Sequence, residues 1–116
     1  MANKFKSEKY WFRLIKLSPQ LLQNFRHKFP SNKFKYEVHE YYENKKQFVV
    51  LIPLSLKIPK TELLHFIKRH KIFSLNYGVC VSLSSNRDND GLRVPKEIAD
   101  FYKKVGGTFD FSFVCL

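Results

Sequence analysis

The sequence predicts an α+β domain, and three observations carry that prediction. Three proline-led segments space their apolar residues as helices do, five further segments have strand character, and the 116-residue chain is 44% hydrophobic. A chain of this length forms one core, so residues 1 to 116 are read as a single domain. Met1 to Lys9, which alternates lysine with polar residues, is read as a flexible lead.

The first strand is expected from Tyr10 to Leu17. A helix follows from Pro19 to Lys28. Ser18 caps it, Leu21, Leu22, Phe25 and Phe29 form its buried stripe, and Pro30 stops it. Lys33 to Tyr42 and Gln47 to Leu54 flank the polar stretch Glu43 to Lys46 and should pair as a hairpin. The second helix runs from Pro59 to Arg69 on Leu63, Phe66 and Ile67, with basic residues at its negative end.

From Leu75 to Leu83 the odd positions are large and apolar and the even ones small or polar, the mark of a strand buried on one face. The third helix, Pro95 to Val105, buries Ile98, Phe101, Tyr102 and Val105 and ends at Gly106 and Gly107. Thr108 to Leu116 closes the chain, with Phe109, Phe111 and Phe113 on one face and Asp110 and Ser112 on the other. The first six elements have the ferredoxin-like order βαββαβ, which a further helix and strand extend. A largely antiparallel sheet is expected, with helices on one face and the other face at least partly open.

Several function classes fall away. The N-terminus lacks the apolar run of an export signal, and the longest apolar stretch, Phe48 to Leu56, is about half the length a bilayer requires. Cys80 and Cys115 have no CxxC spacing and suit reduced thiols in a cytoplasmic protein. No nucleophile elbow, phosphate loop or dinucleotide fingerprint is present, so no catalytic residue, cofactor or enzyme activity is assigned. Asn86, Asp88, Asp90, Gly91 and Glu97 fall on positions of a calcium-loop template, but a strand precedes them and Pro95 already opens a helix; a polar turn accounts for them. His65 and His70 stand about 140° apart around a helix, against the four-residue spacing that shares a zinc, and no metal site is assigned.

Charge is the strongest surface signal. Residues 1 to 60 carry 13 basic and 4 acidic side chains, net +9, whereas residues 61 to 116 carry 8 and 6, net +2. Such a field draws in phosphates or an acidic protein. For an RNA-recognition motif the nearest segment, Lys45 to Ile52, lacks the glycine and the aromatic pair that stacking needs. Nucleic acid on an open sheet face therefore stays the alternative partner, resting on charge.

The run Gly91-Leu92-Arg93-Val94-Pro95, the helix Lys96 to Val105, the corner Gly106-Gly107 and the alternating Thr108 to Phe113 resemble the ending of a small bacterial α/β domain family of unknown function. Phe12-Arg13-Leu14 to Ser18-Pro19 is similar to that family's opening. Related domains recur as immunity proteins beside polymorphic toxins, including those of contact-dependent growth inhibition. The resemblance implies a non-enzymatic cytoplasmic binding protein that neutralises a cognate toxin domain by docking. The basic half then predicts an acidic toxin surface. Expected contacts are Arg13, Lys33, Lys35, Lys45 and Lys46, with Trp11 and Tyr42 as aromatic anchors.

Overall fold

A computed structural model of the chain describes residues 6–54, 60–85 and 94–115. The elements run β1 (Lys6–Leu17), α1 (Pro19–Lys28), β2 (Glu37–Tyr41), β3 (Asn44–Pro53), α2 (Lys60–Arg69), β4 (Tyr77–Ser85), α3 (Lys96–Val105) and β5 (Thr108–Cys115). The five strands form one mixed sheet in the order β2-β3-β1-β4-β5. Its first three pairings are antiparallel, and β5 joins β4 in parallel. Among the described residues no helix is long and apolar enough to cross a membrane.

Alternation along the strands sorts their side chains onto two faces. Phe12 and Leu14 of β1, Val50 and Ile52 of β3, and Val79 and Val81 of β4 meet Leu22, Phe25, Leu63, Phe66, Ile98 and Phe101 from the three helices in one core. Its aromatic centre is Phe25, whose ring lies 4.9 Å from Phe29, 5.1 Å from Tyr36 and 5.5 Å from Phe66. Phe101 of α3 meets Phe12 edge-on at 5.4 Å. Each helix thus buries most of the stripe its spacing predicts, with Leu21 and Tyr102 only partly buried at its margin.

The local signals act largely as read. Ser18 caps α1 by accepting from the Leu21 backbone N–H at 3.1 Å, and Pro19 opens the helix. α3 begins after Pro95 and is closed by Gly106 and Gly107, both at positive φ. α2 ends without glycine: Lys71 takes φ 51°, and the N–H groups of Ile72 and Lys71 reach back to the carbonyls of Ile67 and Lys68. That pair of bonds is a Schellman closure.

Four boundaries differ from expectation. β1 begins at Lys6, because Lys6 to Lys9 pair with Ser82 to Ser85; these four residues belong to the sheet and not to a flexible lead. β2 begins at Glu37, not Lys33, because a turn hydrogen-bonds the Lys33 and Phe34 N–H groups to the Pro30 carbonyl. The Tyr36 hydroxyl then ties that loop to the Phe29 carbonyl at 2.8 Å. The hairpin turn is Tyr42 and Glu43 alone, so Lys45 and Lys46 lie on β3. Leu75 sits in a short 3-10 turn, Ser74–Asn76, and is 62% exposed, so the strand pattern starts at Tyr77. Pro59 and the polar loop from Asn86 to Gly91 lie outside the described residues.

A bulge in β1 lets both Leu14 and Leu17 enter the core. Pairing with β3 runs Phe12 to Ile52 and Leu14 to Val50, then shifts before Leu17 meets Phe48. Lys16 absorbs the extra residue at φ 59°.

Candidate functional site

The residues that alternate with the core form the other face of the sheet. Glu37 and His39 of β2, Val49 and Leu51 of β3, Trp11 and Arg13 of β1, Cys80 and Ser82 of β4, and Asp110 of β5 belong to it by register. Among the described residues the helices contribute their buried side chains to the opposite face. Trp11, Arg13, Val49, Leu51, Cys80 and Ser82 are accordingly half-buried rather than buried.

Arg13 and Asp110 are joined over the top of β4. Arg13 pairs with Gly78 in the sheet, and Gly78 pairs with Thr108 of β5. Arg13 Nη2 donates to Asp110 Oδ2 at 2.6 Å, across the width of β4. Thr108 Oγ1 lies 3.2 Å from the same carboxylate oxygen and 3.3 Å from the Tyr77 carbonyl. A Cβ on Gly78 would run into the Thr108 backbone and hydroxyl.

Next to this pair lies a shallow depression of about 180 Å³, lined by Trp11, Arg13, Cys80, Ser82, Asp110 and Phe111. Burial pushes the Cys80 thiol up, Arg13 pulls it down and Asp110 adds to the rise; the net direction is upward. Cys80 is therefore held as a thiol, the poorly nucleophilic form. Among the described residues no three His, Cys, Asp or Glu side chains are grouped to hold a metal ion.

The lysines stand at the two ends of edge strand β2. Lys33 and Lys35 are exposed in the loop that enters it, and Lys45 and Lys46 are exposed where β3 leaves the turn. Tyr42, at the tip, is 83% exposed. The Tyr41 and Tyr42 hydroxyls donate to opposite oxygens of Glu43, at 3.2 and 3.0 Å, and their rings lie 5.1 Å apart. Burial is the main cause raising the Tyr41 phenol, and the hydrogen bond to Glu43 is the main cause raising that of Tyr42. Between the two lysine pairs β2 carries Glu37 and Glu40, with His39 Nε2 3.3 Å from Glu37. The positive charge is thus interrupted by carboxylates.

The seven expected contacts therefore fall in three places: Trp11 and Arg13 at the centre of the sheet face, Lys33 and Lys35 at one end of β2, and Tyr42, Lys45 and Lys46 at the other. The spacing of the sequence does not mark Asp110, Thr108 and Cys80 as neighbours of Arg13. Cys80 comes beside Arg13 on the antiparallel β4, and Asp110 and Thr108 come on β5, a parallel strand far along the chain. No protein-family model, curated protein or solved structure matches the chain.

Proposed function

We propose that the chain is a non-enzymatic binding protein that docks an acidic protein partner on the helix-free face of its sheet, as an immunity protein covers a toxin domain in the bacterial cytoplasm. The observation that carries this reading is the sheet face itself. It places a half-buried Trp11 beside an Arg13 held by Asp110, and the exposed Lys33, Lys35, Lys45 and Lys46 flank its β2 edge. A large aromatic ring and a preordered arginine are the side chains that dominate protein interfaces, and a ring of charge around them steers encounter. The +11 net charge calls for an acidic surface opposite.

The ferredoxin-like reading of the fold rests on the order β2-β3-β1-β4 of the first four strands, all antiparallel, with β5 added outside β4. Nucleic acid fits this face less well. Its arginine is already paired with a carboxylate, one tryptophan is its sole large ring on β1, and Glu37 and Glu40 interrupt the lysines.

Co-expression with the product of the adjacent upstream gene, followed by tagged purification, tests the proposal. A stoichiometric protein partner without excess absorbance at 260 nm is expected. Its loss when Lys33, Lys35, Lys45 and Lys46 are all changed to Glu would place the lysines at the interface. Nucleic acid that elutes with salt and no protein partner would overturn the reading.

A further inference from the structure

We propose that the cleft between α1 and α2 is a binding site for a small phosphate-bearing molecule. The cleft has a volume of about 430 Å³, within the range of small-ligand sites. Asn24, His27 and Lys28 line it from α1, His65, Phe66 and Arg69 from α2, and His70 from the turn that follows α2. It lies in the helix layer, away from the sheet face, so this inference and the docking proposal stand or fall separately.

Three features point to an anion. Five of the seven lining side chains are basic and none is acidic. Among the described residues the side chains of His27, Lys28, His65, Arg69 and His70 have neither a hydrogen-bond nor an ion-pair partner, whereas Arg13, at the depression on the sheet face, is paired with Asp110. Asn24 Oδ1 accepts from Gln20 at 3.1 Å, which leaves the Asn24 amide group as a donor. The His70 ring lies 4.5 Å from Phe66, so its position is set by packing.

Complementing the helix dipoles accounts for basic residues in the last turn of each helix. It does not account for their convergence from two helices on one cleft, where like charges repel unless an anion sits between them. A phosphate accepts hydrogen bonds from several donors at once, and the fork of Arg69 suits it geometrically. A metal ion would meet Lys28 and Arg69 as like charges.

Inorganic pyrophosphate, titrated into the full chain at constant ionic strength and pH 6.5, tests the site by NMR of the histidine ring protons. The expected result is a saturable shift at His27, His65 and His70, with a Kd below about 1 mM, while His39 on the sheet edge stays still. The double variant Lys28→Gln with Arg69→Gln, both exposed, should keep the fold by its backbone spectrum and bind at least about ten-fold more weakly. Shifts that rise linearly at all four histidines, or a double variant that binds as tightly as the parent, would overturn the proposal.

Discussion

Arg13 on β1 and Asp110 on β5 form a 2.6 Å ion pair that spans an intervening strand. Two strand spacings are about 10 Å, a span that the long arginine and the aspartate cover between them over β4. The two side chains are 34% and 52% exposed, so solvent screens the pair. A double-mutant cycle of Arg13→Ala and Asp110→Ala, read by urea unfolding, should give a coupling of about 0.2–1 kcal/mol. A value near zero would mean that the pair adds nothing measurable to stability. The pair holds the guanidinium at the depression that Arg13 and Trp11 both line.

Gly78 is expected to be the least replaceable residue of the sheet face. An added Cβ meets Thr108 backbone atoms, which belong to the paired strand β5 and cannot swing aside. Gly78→Ala should cost about 1–3 kcal/mol by thermal or chemical unfolding. Ser82→Ala, on the same strand and face, should cost less than about 0.5 kcal/mol.

Lys16 offers a test with opposite signs. Its left-handed backbone at φ 59° strains any residue with a Cβ, by about 1–2 kcal/mol, and a β-branched residue most. Lys16→Gly relieves the strain but gives back about 0.5–1 kcal/mol in chain entropy, so it should be neutral to mildly stabilising. Lys16→Val should destabilise by about 1 kcal/mol or more. If the valine variant is as stable as the parent, the bulge has moved and Leu17 reaches the core by another path.

Tyr10 should impose a pH dependence at the alkaline end. Burial, and then the hydrogen bond and charge of Glu8 at 2.9 Å, push its phenol from the ordinary 10 up to about 12. The folded state therefore keeps a proton that the unfolded chain has lost. The resulting stabilisation is whole below pH 10 and disappears as pH rises through about 12. Tyr10→Phe should flatten the fall in stability over that window, and absorbance at 295 nm should show one fewer late-titrating phenol. A parallel loss of stability in both proteins would remove Tyr10 as the cause.

The sequence by itself determined the elements whose causes are local. Ser18 with Pro19, Pro95, and the Gly106-Gly107 corner act through their own backbone geometry. The spacing of Leu22, Phe25, Leu63, Phe66, Ile98 and Phe101 selects the helix faces that fill the core. Tertiary structure alone decided what depends on pairing between distant segments. Lys6 to Lys9 become strand because β4 offers them backbone partners, although their own composition reads as a solvated lead. Lys33 and Lys35 stay in a loop because Phe29 and Tyr36 hold that loop to α1, which no alternation pattern records. Asp110 reaches Arg13, and His27 reaches His65 and His70, across 97 and about 40 residues of chain. Periodicity assigns a residue to a face, whereas strand order and helix packing decide which faces, and which charges, are neighbours.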